Sequence, residues 1–154
     1  MTDRSPLLHF DDLAVGDRHR SASVTISREQ ITAFAAEFDP QPFHLDDDAA
    51  RATLFGGLAA SGWHTAALTM KLIVTSGMPF AGGYIGAGVQ LDWPRPVRPG
   101  DTLHVESEVI ELIPSKSKPD RGIVVVRNET KNERDEVVQV QTAKLVVPRR
   151  VAPG

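Results

Sequence analysis

Cysteine is absent from this chain. That absence excludes disulfides, thiolate zinc sites, iron–sulfur clusters and a cysteine nucleophile, and it is compatible with a reducing compartment. Long apolar runs are also absent. The greasiest stretch, residues 66–74, includes Thr69, Met70 and Lys71 and is far too short to span a bilayer. Residues 1–17 carry early acids and no apolar run, so no signal peptide is visible. There is no excess of positive charge: the formal net charge is −3 and the pI is near 5.9, so nothing favours nucleic acid as a partner. Internal repeats and low-complexity segments are missing too.

What remains is an ordinary globular composition, 41% hydrophobic and 24% charged over 154 residues. A chain of that size buries roughly 70% of its unfolded surface. The expectation is one domain over residues 1–154, cytoplasmic, and without a membrane partner.

The first half reads as helical and the second as strands, which argues for an α+β protein with helices packed on an antiparallel sheet. Residues 21–26 alternate as a short strand with Ala22, Val24 and Ile26 on one side. Ser27-Arg28-Glu29-Gln30 is a capping box, and the helix it opens carries Ile31, Phe34, Ala35 and Phe38 at helical spacing until Pro40 stops it. Asp46, Asp47 and Asp48 form an acidic start to a short helical stretch through Leu54. A longer helix starts near Ser61 and ends at Gly77. It is apolar on nearly every side, which predicts a buried helix. From Gly88 the period changes to two, with strands at 88–93, 103–112, 122–130 and 137–147. The apolar phase slips midway in the second and fourth of these, which predicts a bulge in each and strong curvature. A curved antiparallel sheet around one central buried helix is the picture.

The densest cluster of chemical groups is Asp39-Pro40-Gln41-Pro42-Phe43-His44. Two prolines stiffen a short segment with a carboxylate at one end and an imidazole at the other, the presentation that general acid–base catalysis needs. The competing reading is a proline-rich helix exit with a locally satisfied histidine. Ser61 and His64 do not sit in a Gly-x-Ser-x-Gly elbow; Ser61 reads as a helix cap and His64 as a packing or pocket residue. His44 with the three aspartates lacks a second imidazole at ligand spacing, so no metal is expected. The glycine-rich stretch 82–88 leads into a strand and reads as a flexible loop.

Asp39-x-x-Pro42-x-His44, followed by Asp46, Ala49-Ala50, Phe55-Gly56-Gly57 and Ser61-Gly62, resembles the MaoC-like hydratases, (R)-specific enoyl-CoA hydratases and dehydratases of the hotdog fold. Phe10-Asp11-Asp12-Leu13 with Gly16-Asp17, and the run from Arg95 to Leu103, extend the likeness over nearly the whole chain. Two positions depart from the family: Gln41 stands where Asn is usual, and Ser61 where His is frequent.

The resemblance implies a hotdog fold, Asp39 and His44 as the catalytic pair, and Gly62 as a backbone donor to a thioester carbonyl. It makes Ser61, Gln41 and His64 candidate pocket residues, and Arg95, Arg98, Lys116, Lys118 and Arg121 candidate contacts for the phosphates of coenzyme A. It implies an acyl-CoA substrate, no cofactor beyond the coenzyme A of that substrate, and a homodimer with substrate near the subunit interface. The rival readings are a hotdog thioesterase and a non-catalytic acyl-binding subunit.

Overall fold

The computed structural model describes residues 6–150; residues 1–5 of the acidic opening and 151–154 lie outside them. Among the described residues the fold has six strands and four α-helices. In chain order they are β1 (Arg18–Arg20), β2 (Val24–Thr25), α1 (Arg28–Phe38), α2 (Pro42–Leu45), α3 (Asp47–Arg51), α4 (Gly62–Ser76), β3 (Gly86–Asp92), β4 (Thr102–Pro114), β5 (Arg121–Lys131) and β6 (Val137–Pro148). The sheet order is β1-β4-β5-β6-β3, with β2 also pairing β4. All these strand pairs are antiparallel. The long strands β4, β5 and β6 curve beneath α4, which is the hotdog arrangement.

The capping box forms as expected: Ser27 Oγ accepts from the Gln30 N–H, and Gln30 Oε1 accepts from the Ser27 N–H. Five sequence expectations change, the last of them concerning α4. Of the strand expected at 21–26 only Val24–Thr25 forms, as β2, while β1 lies before it at Arg18–Arg20; between them Ser21 turns inward and its hydroxyl accepts from the Val105 N–H. The stretch after His44 ends at Arg51 rather than Leu54. The Pro42–Leu45 segment is a turn of helix rather than an open loop, with Pro42 at the first helical position, where its fixed φ and missing N–H suit.

The fourth change concerns β6. The β4 slip is real, with a register shift between Val109 and Glu111. In β6, however, Gln139, Gln141, Ala143, Leu145 and Val147 all face inward on one continuous phase. The irregularity lies at its start, where Thr130 faces Gln139 and Lys131 faces Val137. The expected bulge is thus present but at the fully buried Val138, earlier than expected, and from Gln139 on the buried glutamines conceal the inward phase.

Those glutamines belong to a polar belt across the middle of the core. Ser107 donates to Asn128 Oδ1 (2.6 Å), and Asn128 Nδ2 donates to Gln141 Oε1 (2.9 Å) and to the Tyr84 hydroxyl (2.8 Å). Thr69 of α4 shares a 2.6 Å hydrogen bond with Thr130. On one side of the belt packs a large apolar cluster around Phe10, Phe80, Val109, Val124, Val126 and Leu145. On the other side is a smaller one of Ile26, Ile31, Leu58, Ala60, Val97, Leu103 and Val138. The helix α1, which ends at Asp39, packs into the smaller cluster through Ile31.

The helix α4 buries His64, Thr65, Thr69, Leu72 and Ile73 but is not enclosed. Trp63, Met70 and Val74, at helical spacing, are 60%, 37% and 58% exposed. One face of the central helix is therefore open within a single chain. Among the described residues no helix is long and apolar enough to cross a membrane.

Candidate active site

The end of α1 delivers Asp39, whose N–H closes the helix onto the Ala35 carbonyl at 2.9 Å. Gln41 then caps α2, and one turn later His44 sits 5% exposed. Its Nε2 lies 3.3 Å from Asp39 Oδ2. Its Nδ1 lies 2.7 Å from the Ala59 carbonyl oxygen. A carbonyl only accepts, so Nδ1 carries a proton and Nε2 is left facing Asp39.

Both departures from the family pattern close on the same carboxylate. Gln41 Nε2 donates to Asp39 Oδ1 at 2.6 Å, and Ser61 Oγ donates to Oδ2 at 2.7 Å. The extra methylene of Gln41 brings its amide back to a residue two positions earlier. Burial pushes the Asp39 carboxyl upward, but the hydrogen bonds from Gln41 and Ser61 and the nearby His44 outweigh it, and the net shift is below the ordinary carboxylate value. Asp39 is thus held ionised beside an imidazole.

Ser61 also caps α4, its Oγ accepting from the Trp63 N–H at 3.2 Å. Gly62 is the first residue of that helix, so its N–H has no intrahelical partner and lies at the positive end of the dipole. The segment before it is stitched in place. The Ala59 N–H donates to the Phe43 carbonyl (3.2 Å) and the Ala60 N–H to the Val97 carbonyl (2.9 Å). A cavity of about 240 Å³ opens here, lined by His44, Phe55, Ala60, Gly62, Thr65 and Trp93, with 94–97 completing the wall.

The remaining candidates scatter. His64 stacks face to face on Phe34, with ring centroids 4.5 Å apart; burial pulls its pKa down, and it does not line the cavity. Arg95 lines the cavity and approaches Glu136 at 3.7 Å. The Arg98 guanidinium donates to the carbonyls of Gly57 (2.8 Å), Leu58 (3.3 Å) and Phe55; it braces the segment that leads to Ala59. Lys116, Lys118 and Arg121 are at the β4–β5 hairpin, and Arg121 pairs with Asp120 at 2.9 Å. That hairpin is the full length of the 13-residue β4 away from the Thr102 end, about 40 Å along the strand. One chain does not bring these three to Asp39 and His44.

A different group, His104, Glu106 and Asp135, has metal-ligand geometry within 4.8 Å. Lys131 already serves it, its Nζ 2.9 Å from Glu106 and 3.7 Å from Asp135. Sequence reading missed Trp93, Phe55 and Thr65 as pocket walls, Ala59 as the partner of His44, and Arg98 as a brace. A strand-end tryptophan before Pro94 carries no local mark that it meets residue 62.

Comparison with known proteins places this geometry. The family described as MaoC like domain matches residues 13–144. A solved structure of a MaoC-like dehydratase from Rhodospirillum rubrum is 63% identical with a TM-score of 0.92, covering 94% of this chain and 99% of that one. The 3-hydroxybutyryl-CoA dehydratase of Methylorubrum extorquens is 33% identical over 150 residues, 94% of this chain and 87% of that protein. An R-hydratase from Pseudomonas aeruginosa, solved unliganded, is 30% identical with a TM-score of 0.71, covering 95% and 91% of the two chains.

Proposed function

This chain belongs to the MaoC-like domain family, and from that premise we propose that it adds water to an enoyl-CoA thioester, or removes water from the 3-hydroxyacyl-CoA, through Asp39 and His44. The observation that carries this reading is the 3.3 Å approach of His44 Nε2 to Asp39 Oδ2, with the His44 tautomer fixed by Ala59. Both atoms are acceptors when His44 is neutral, and a water molecule has two hydrogens to satisfy them. Held there, its oxygen is free to attack.

As the C3–O bond forms, a water proton passes to the pair and the C2=C3 π electrons move toward the thioester carbonyl. The Gly62 N–H and the dipole of α4 stabilise the resulting enolate oxygen. A proton from the pair then reaches C2, and the electrons return from oxygen to carbon. Arg95, beside the cavity, is suited to the phosphates of coenzyme A.

The working form is a homodimer in this reading. The open stripe of Trp63, Met70 and Val74 continues onto the edge strand β3 through the Trp63–Trp93 contact, with ring centroids 5.5 Å apart. An apolar stripe beside a free sheet edge is a surface that association would cover. A second copy is also the available source of cations equivalent to Lys116, Lys118 and Arg121. A cysteine-free chain working on coenzyme A thioesters fits the cytoplasm.

The test follows crotonyl-CoA in parallel by loss of enoyl absorbance and by free-thiol release. Absorbance loss without thiol is expected; thiol release would make it a thioesterase. Asp39→Asn and His44→Ala should each lower hydration by about 10²–10⁴-fold with the melting temperature nearly unchanged. Full turnover in both would remove the pair from the chemistry. Because Asp39 is held below the ordinary carboxylate range, the acid limb it contributes to kcat/KM should lie below about pH 3.9.

A further inference from the structure

Trp93 stands out among the cavity walls because it is held from three directions. Its indole lies against Gly62: a Cβ on that glycine would be 2.7 Å from Cε2 and 2.9 Å from Cδ2 and Cζ2. The edge of Trp63 closes a second side at 78°. From the third, Nε1 donates to Gln139 Oε1 at 2.9 Å. Gln139 is fully buried, and its own amide donates to Thr69 Oγ1 at 3.1 Å, which pairs with Thr130. Swinging the ring aside would strand a buried carbonyl oxygen, which folded proteins rarely tolerate.

The ring is therefore a fixed wall rather than a movable gate. It bounds the cavity that His44 also lines, and the hydrocarbon part of a thioester would lie along it if the carbonyl met the Gly62 N–H. The cavity, about 240 Å³, is smaller than the roughly 300–1,000 Å³ of pockets that take drug-sized ligands. No acyl chain passes between the indole and α4, since even a methyl group on Gly62 lacks room there. We propose that Trp93, positioned by Gln139 of the polar belt, restricts this site to short-chain acyl thioesters. The proposal rests on the hydratase reading for its substrate class, and on Trp93 and Gln139 for the length limit.

The experiment measures kcat/KM of the intact protein for enoyl-CoAs of four, six, eight and ten carbons, with Trp93→Ala, Trp93→Leu and Gln139→Leu beside the unaltered chain. In parallel, calorimetry measures the binding of saturated butyryl-CoA and octanoyl-CoA, which needs no turnover. The unaltered protein should prefer four carbons to eight by at least about tenfold, the range a pocket wall can impose. Trp93→Ala should reverse or erase that preference through KM more than kcat. Trp93→Leu should do so in part, and provides the measurement if the alanine variant folds poorly. Gln139→Leu, which frees the ring without removing it, should relax the preference least. A length profile unchanged in both Trp93 variants, or lowered equally at all lengths, overturns the proposal. If no enoyl-CoA is hydrated but the butyryl-over-octanoyl binding preference still collapses in Trp93→Ala, the hydratase reading fails and the wall stands.

Discussion

Gly62 and Gly122 each lie beneath an aromatic ring that fills the space a Cβ would take, Trp93 over the first and Phe10 over the second. The surroundings separate them. Gly122 is in β5 and Phe10 belongs to the large apolar cluster, so this close approach fills the core. Gly62 opens α4, and Trp93 is 41% exposed beside the cavity that holds His44. There the missing side chain lets Trp93 pack onto the helix N-terminus as a wall of the cavity. One local device serves packing at one end of the sheet and chemistry at the other, and the polar belt divides the two ends.

The largest expected effect at either glycine is on activity at the site end. Gly62→Ala forces Trp93 off the helix and misplaces the oxyanion donor, and should cost about 10²–10³-fold in kcat, the scale of losing one such donor. Its melting temperature should fall as well, because displacing Trp93 frees the buried Gln139 carbonyl that it caps. Gly122→Ala should act on stability alone: Phe10 has no solvent to enter, so overpacking should cost about 1–3 kcal/mol, or roughly 2–12 °C in melting temperature, with kcat of the folded protein unchanged. Unchanged kcat in Gly62→Ala, or lost kcat in Gly122→Ala, would break the contrast.

A smaller effect sharpens it. The buried members of the Phe10 cluster are all apolar, whereas the first turn of α4 holds His64, whose Nδ1 is buried without a hydrogen-bond partner. Burial lowers its pKa in the folded state. The unfolded chain therefore binds the proton first as pH falls through about 6.5, and stability is lost from there downward until the folded value is passed. His64→Phe should flatten the decline of melting temperature between pH 7 and pH 5. An identical decline would show that His64 carries none of it.

Much of this was legible in one dimension. The Ser27 box, the Pro40 stop and the Ser61 cap are written within four residues of where they act, so α1 and α4 begin and end where the sequence places them. The strands β4 and β5 follow their expected patterns, including the slip in β4. Asp39 and His44 were readable because two prolines fix the turn between them. The pattern failed where polarity and burial part company. Gln139 and Gln141 face inward because Thr69, Asn128 and Trp93 meet them from other elements, and an alternation rule has no access to those partners. The opposite error concerned α4: apolar on most sides, it read as enclosed, yet its Trp63–Val74 stripe is open in one chain.

The sequence by itself determined most of the elements, the short turn that joins Asp39 to His44 and the family, because caps, prolines and residue periods act over a few positions. Only the tertiary structure decided what those elements do to one another. It converged Gln41 and Ser61 on the two oxygens of Asp39, fixed the His44 tautomer through Ala59, turned Arg98 from a candidate phosphate ligand into a brace, and laid Trp93 across Gly62. Each of those contacts except the Gln41 hydrogen bond joins residues 15 or more positions apart. Such pairs are set by how the sheet curves around α4, and no local pattern encodes that curvature residue by residue.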